Sequence, residues 1–239
     1  MSGGSTWQAA LARWFPVARR DEVIARHLAE AMLLGQDLVV WRDDAGAVNA
    51  WRNRCPHRGV RLSIGYNTGQ ELRCQYHGWR FASGSGQCRL IPAHPTQKPA
   101  ATLGAVVYGV AEADGYIWVR LAGADAGPPA VPGAAGLAAP QPLRSVFVEA
   151  PVATVAAALQ QGYDLDGTGP VAVEALDAYT LSAGGPGVAA TRIVFMLQPV
   201  DAARCVVHAA LKGGSVGLGT LRYHNGELTR LQRALRAPR

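Results

Sequence analysis

Cys55-Pro56-His57-Arg58-Gly59, followed further on by Cys74-Gln75-Tyr76-His77-Gly78-Trp79, is the stretch that decides how this chain is read. Sixteen residues separate His57 from Cys74. Two cysteines and two histidines therefore arrive as a Cys-x-His pair and a Cys-x-x-His pair, each running into a glycine. Four such side chains on two short loops can close on one metal centre. A structural zinc site is one reading of thiolate with imidazole, but zinc fingers of the familiar kind supply a cysteine pair and then a histidine pair. Here each loop carries one of each. That arrangement suits a cluster of two inequivalent irons, one held by both cysteines and the other by both histidines. Cys55, His57, Cys74 and His77 are the candidate metal-ligating and cofactor-binding residues, and no catalytic residue is assigned.

In order and spacing the four resemble the Rieske 2Fe-2S motif. Rieske proteins of the cytochrome bc type carry an additional cysteine in each loop, the two forming a disulfide; Val60 and Tyr76 stand at those positions here. That branch also has a serine after the second His-Gly, whose hydroxyl donates to a cluster sulfur, where this chain has Trp79. Fewer donors to the sulfurs leave the reduced state less stabilised. The expected potential lies toward the low end of the Rieske range of roughly −150 to +300 mV.

The chain has 239 residues, 49% of them hydrophobic, which is enough for one large or two small domains. No stretch is apolar for the ~18 residues a membrane span needs, and Met1 to Thr6 lack an apolar signal core, so a cytoplasmic protein without membrane contact is expected. Cys88 and Cys205 lie far apart and read as buried thiols in a reducing compartment. The net charge of +6 is moderate. Five arginines against one glutamate fall between Arg222 and Arg239, with no interleaved aromatic run to stack bases, so nucleic-acid binding is not expected.

Read in order, Trp7 to Leu11 lead into an apolar segment broken by Pro16, and Asp21 is placed to cap a short helix through Val23, Ile24 and Leu28 with His27 on its surface. From Leu33 the pattern turns strand-like: Leu38 to Trp41 and Val48 to Trp51 around Asp43-Asp44-Ala45-Gly46 make a hairpin that runs into the first ligand loop. Polar turns follow at Asn67-Thr68-Gly69 and at Ser83-Gly84-Ser85-Gly86. Val106-Val107-Tyr108 and Tyr116 to Val119 are expected to pair around Ala113-Asp114-Gly115. The result is a small antiparallel β domain with the ligand loops at one end.

Trp14-Phe15-Pro16-Val17-Ala18, Leu34-Gly35, Arg58 to Ser63 and Ile91-Pro92 make the likeness specific: residues 12–121 resemble the N-terminal Rieske domain of aromatic-ring-hydroxylating and demethylating oxygenases, particularly the vanillate and phthalate group. Seventeen of the 21 residues from Ala122 to Pro142 are Ala, Gly or Pro, which reads as a linker. Strands are expected at Ser145 to Glu149, Val171 to Leu176, Tyr179 to Ser182, Arg192 to Leu197 and Cys205 to Leu211. Helices are expected after Pro151 through Val155 and Leu159, and through Leu228, Leu231 and Leu235. The expected architecture is α+β: a Rieske domain over 1–121, a linker over 122–142, and a reduced helix-grip-like domain over 143–239.

The resemblance implies a mononuclear iron in the second domain, held by two histidines and a carboxylate. The helix that should bear the histidines reads Ala156-Ala157-Ala158-Leu159-Gln160-Gln161-Gly162-Tyr163-Asp164-Leu165-Asp166, and no histidine occurs between His94 and His208. A 2Fe-2S cluster without a mononuclear iron is therefore expected. The reading is an electron-transfer component or subunit of a Rieske-type oxygenase system, passing single electrons to a mononuclear iron on another chain. A flavin reductase or ferredoxin is the implied donor, a catalytic oxygenase subunit the implied acceptor, and a homo- or hetero-oligomer the implied assembly. Two alternatives stay open. One is a complete monooxygenase or dioxygenase with a non-standard iron site from His208, His224 and Asp164 or Asp166; the other is a redox-sensing or auxiliary subunit.

Overall fold

The computed structural model describes residues 3–123, 140–184, 192–213 and 216–236. Helix α1 (Gly3–Leu11) precedes strand β1 (Phe15–Arg19), and the three strands β2 (Leu28–Leu33), β3 (Gln36–Arg42) and β4 (Val48–Arg52) form an antiparallel sheet in that order. A second sheet follows from four short strands, β5 (Tyr66–Asn67), β6 (Glu71–Arg73), β7 (Arg80–Ala82) and β8 (Cys88–Leu90). Strands β9 (Gly109–Ala113) and β10 (Tyr116–Arg120) complete a third sheet with β1, in the order β1-β10-β9. Central strand β3 buries Leu38 to Trp41 in succession, because both of its faces are covered. Val39, Trp41 and Trp51 meet Leu72, Phe81 and Cys88 from the second sheet in one core, with the two indoles edge to face at 5.2 Å.

Amide side chains tie the two sheets at their turns. Asn67 donates to the main-chain oxygens of His27 and Arg42 (3.2 and 2.8 Å) and accepts from the Gly69 N–H (2.9 Å). Asn49 donates to Ser83 Oγ (3.0 Å) and accepts from the Gly84 N–H (2.7 Å), and Ser83 donates to Asp43 (2.6 Å). These bonds join the turn between β3 and β4 to the turns of the second sheet, at the end away from Cys55 and Cys74.

Two expectations are corrected here. Asp21 caps no helix. A 3-10 turn spans Arg20–Glu22, Asp21 pairs with Arg19 at 3.1 Å, and Arg26 has φ 64°, which no helix continues through. The following residues are β2, paired with β3 through a two-residue turn at Leu34 (φ 51°) and Gly35 (φ 76°). Both signs suit a hairpin turn of the primed type, but leucine is a poor advertisement for one. Burial of the Leu34 side chain offsets its unfavourable backbone. In addition, Val106 to Tyr108 pair with β4 rather than β10: Arg52 N–H reaches Val106 O and Tyr108 N–H reaches Ala50 O, each at 2.9 Å. The outer edge of β4 offered unpaired main-chain groups, and this segment satisfies them.

The chain divides into two units, Met1–Glu112 with Ile117–Gly127 and Ala113–Tyr116 with Pro128–Arg239. Most of the Ala/Gly/Pro-rich segment, 124–139, lies outside the described residues. The second unit begins with β11 (Gln141–Pro142) and β12 (Val146–Val148), then α2 (Val152–Gln160) and the short pair β13 (Tyr163–Asp164) and β14 (Pro170–Val171). Strands β15 (Val173–Asp177), β16 (Thr180–Ala183), β17 (Arg192–Pro199) and β18 (Cys205–Lys212) form an antiparallel sheet, with β11 and β12 both on the outer edge of β18. Helix α3 (Leu218–Ala234) follows. Val155 and Leu159 of α2 and Leu228 of α3 pack with Phe195, Leu197 and Val207 of the sheet, each helix burying residues four apart. In this second unit the expected helices and core strands are present, and the whole is α+β.

Candidate metal centre

Each ligand loop grows from a different sheet: the Cys55 loop leaves β4, and the Cys74 loop joins β6 to β7. Their main chains repeat one pattern. Cys55 N–H bonds to Val60 O (2.8 Å) and Gly59 N–H to Cys55 O (2.9 Å); Cys74 N–H bonds to Trp79 O (2.8 Å) and Gly78 N–H to Cys74 O (3.1 Å). Gly59 and Gly78, each four residues after its cysteine, have φ 75° and 70°, a region that favours glycine.

The two loops bring the predicted ligands together in pairs, cysteine with cysteine and histidine with histidine, and they sort the pairs by depth. Cys55 and Cys74 are buried in the core with Leu62, Leu72 and Phe81, while His57 and His77 are exposed. The thiols lie against one another, and the imidazole centroids are 4.8 Å apart with their planes at 60°. Among the described residues no three His, Cys, Asp or Glu side chains gather as a single ion requires. The ligands pair instead, sulfur with sulfur and nitrogen with nitrogen, and that donor set fits a two-iron cluster whose irons differ. Burial pushes the Cys55 thiol up to about 11, with Cys74 adding to it and main-chain donors of His57 and Arg58 opposing. Two adjacent buried thiolates need a neighbouring cation, which iron would supply. Desolvation, with His77 and Arg58 beside it, holds His57 below its ordinary value, the direction that favours the neutral ring a metal ligates.

Side chains around the ligands fix them. Trp79 stacks on His57 at 4.5 Å and 7° between planes, setting the plane of that imidazole, and Tyr76 lies 4.0 Å from the His77 ring. Sequence reasoning placed Trp79 only as a residue without a hydroxyl; nothing in the spacing shows that it crosses to the other loop. Behind the first loop, Asn53 donates to Asp37 (3.1 Å) and Ser63 Oγ (2.9 Å) and accepts from the Ser63 N–H (2.8 Å). Arg61 forks onto Asp37 and also reaches Glu30, each at 3.0 Å. Asn53 is 3% exposed, so an Asn53→Ala chain leaves its half-buried partners Asp37 and Ser63 short of a bond and is expected to lose about 1 kcal/mol. Thermal unfolding of the iron-loaded protein checks this; an unchanged midpoint would show that the clamp is dispensable.

Cys88 and Cys205 are buried free thiols, as expected. His208 and His224, named for the alternative iron site, sit in different elements, β18 and α3. His208, buried in β18, accepts from Ser145 Oγ at Nδ1 (2.8 Å) and donates from Nε2 to Gln198 Oε1 (2.7 Å), so both nitrogens are engaged. His224, buried in α3, meets the Tyr163 hydroxyl at Nδ1 (3.1 Å) and stacks on that ring. Asp164 accepts main-chain N–H groups of Asp166 and Gly167, and Asp166 accepts both the N–H and the hydroxyl of Thr168. The two histidines are thus parts of separate hydrogen-bonded groups. No described helix is long and apolar enough to cross a membrane.

Residues 13–106 match the profile of the Rieske [2Fe-2S] domain. The oxidoreductase NdmD of Pseudomonas putida is 37% identical over 235 residues, which cover 94% of this chain and 40% of that protein. The oxygenase subunit of 3-chlorobenzoate-3,4-dioxygenase from Comamonas testosteroni is 37% identical over 110 residues, 45% of this chain and 25% of that subunit. The chain therefore spans well under half the length of these relatives. Among solved structures, apo dicamba monooxygenase superposes with a TM-score of 0.72 at 20% identity, covering 95% of this chain and 85% of the other. Pseudomonas putida NdmB superposes with a TM-score of 0.71, also at 20% identity, which shows a shared fold. Residues 13–106 thus carry a Rieske [2Fe-2S] domain, and the chain is similar in sequence to the oxidoreductase NdmD and in fold to dicamba monooxygenase.

Proposed function

We propose that this chain is a one-electron carrier of a Rieske-type oxygenase system, an oxidoreductase component that takes electrons from a flavin reductase or ferredoxin and passes them to a mononuclear iron on another chain. The observation that carries the reading is the sorting of the ligands, with both thiols buried and both imidazole edges exposed. When bound, the cluster accepts and returns a single electron at the iron the imidazoles hold. Cys55 and Cys74 anchor it in apolar surroundings. His57 and His77 bring the reducible end to the surface, where a partner's redox centre can approach. Trp79 keeps the His57 ring in one orientation, so that little has to rearrange when charge arrives.

The likeness to an oxidoreductase supports the redox part of this reading. The relative whose likeness runs through nearly the whole chain is named an oxidoreductase, whereas the dioxygenase subunit matches less than half of it. The partners of His208 favour the same reading, since both ring nitrogens of that histidine are engaged.

Anaerobic purification followed by iron and sulfide analysis tests the proposal. Two irons and two sulfides per chain are expected, with a midpoint potential toward the low end of the roughly −150 to +300 mV Rieske range. Three irons with two sulfides would make the chain an oxygenase in its own right. A cluster that is reduced but never passes its electron to any terminal oxygenase would instead point to a sensing role.

A further inference from the structure

Charge around the metal centre is strongly one-sided. From residue 54 to residue 98 the chain carries seven Lys and Arg against a single carboxylate, Glu71. Part of that excess is neutralised or occupied. Arg61 is paired with Asp37 and Glu30, Arg80 leans toward Glu71 at 3.9 Å, and Arg73 lies over the Tyr66 ring. Arg54 and Arg58 are different. Both are exposed, both flank His57 in sequence, and among the described residues neither meets a carboxylate. The Arg54 guanidinium lies against the glycine turn of the first loop, about where a Cβ on Gly59 would contact it at 3.0–3.1 Å. Beside them the exposed edge of the centre is aromatic: His57, His77, and Tyr76 at 59% exposure.

We propose that this surface, an aromatic centre flanked by Arg54 and Arg58, is the docking site of the electron donor, and that the donor is a one-electron redox protein presenting an acidic face. The inference rests on the electron-transfer reading above and adds the place and charge of the partner. Two ferric ions, two sulfides, two thiolates and two neutral imidazoles leave the oxidised centre without net charge, so the arginines set the local field. An acidic partner is steered toward them. One electron then leaves the donor, which is oxidised by one, and reduces one ferric ion to ferrous. The added negative charge weakens the field that held the complex. A partner that binds the oxidised form better than the reduced form suits delivery of an electron rather than its removal. By linkage, its binding must lower the midpoint potential.

The experiment follows reduction of the cluster-loaded full chain in a stopped-flow instrument, first by dithionite and then by a reduced acidic plant-type ferredoxin, across a range of ionic strength. Four proteins are compared: the parent, Arg58→Gln, the Arg54→Gln/Arg58→Gln double variant, and Arg26→Gln. Arg26 pairs with Asp44 in the turn at the far end of the β3–β4 hairpin, so its loss changes net charge as much as Arg58→Gln does, but away from the ligand loops. Ferredoxin should reduce the parent and Arg26→Gln quickly at low salt and more slowly as salt rises. The double variant should be about tenfold slower at low salt with a flatter salt dependence, and Arg58→Gln intermediate, while dithionite reduces all four alike. The docking proposal is overturned if the double variant keeps the parental rate and salt dependence, or if ferredoxin binds the reduced form more tightly than the oxidised. Failure of dithionite to reduce any of the four would instead remove the electron-transfer reading, and that is seen before the donor is added.

Discussion

A Cys74→Ser chain is expected to purify colourless, with iron and acid-labile sulfide both absent. Cys74 is 2% exposed and faces Cys55 inside the core, so the pair forms one end of the centre. A serine hydroxyl does not give up its proton as a thiol does, and a lone Cys55 cannot hold the sulfur-ligated iron in its place. Metal-binding free energy is also folding free energy for the loops that close on the metal. Without it the unit carrying the loops should melt at least ~10 °C lower, since a loss of a few kcal/mol moves a domain of this size by that much. The sheets do not use the metal for their pairing, so the far-ultraviolet circular dichroism should persist at low temperature. Hydrogen exchange should quicken at the N–H groups of Cys55, Gly59, Gly78 and residue 74, which close the loops. Retention of the visible spectrum by the serine chain would defeat the assignment.

Gly65→Ala should be nearly as damaging, although Gly65 touches no ligand. A Cβ there would sit 2.3 Å from Arg73 O and 3.0 Å from Leu62 O, both main-chain atoms that cannot swing aside. Arg73 pairs with Tyr66 in the β5–β6 ladder and directly precedes Cys74. The methyl group must therefore push β6 outward and take the second ligand loop with it. A cost of about 3 kcal/mol is expected, at the upper end of overpacking, together with faster loss of iron to a chelator. Gly84→Ala is the control: Gly84 has φ 73° but meets nothing within 4 Å, so only the backbone term of about 1–2 kcal/mol applies. Equal effects of the two substitutions on iron loss would sink the argument.

Residue identity announced the ligands because metal chemistry restricts side-chain type and spacing far more than packing does. The Cys55–Gly59 and Cys74–Gly78 loops were legible for that reason, and so were the hairpin around Asp43 to Gly46 and the buried faces of α2 and α3, which follow plain periodicity. Strand β2 was not. Its residues Leu28 to Leu33 show no clean alternation, and the turn that returns it to β3 uses Leu34, whose left-handed backbone is sustained by burial and cannot be read locally. The partner of Val106 to Tyr108 was missed for a related reason. A strand with two candidate neighbours is assigned by which edge lies open, and that is a property of the assembled sheet. Gly65 marks the same limit from another side: its φ of −83° is ordinary, and only the approach of Arg73 O demands glycine. Trp79 over His57 and Arg54 against Gly59 likewise exist only once the loops have been brought together.

The amide clamps have a consequence for how such a protein is made. Asn49 and Asn67 lock the turns of the two sheets to each other, and Asn53 braces the first loop from behind, all without engaging a metal ligand. The frame can thus be finished while the thiols are still protonated and the imidazoles bare. Assembly machinery would then meet a receptacle rather than an unfolded chain, and a cluster destroyed by oxygen would be a replaceable part. Chelated protein, once its thiols are reduced, should regain its colour from ferric iron and sulfide without passing through denaturant.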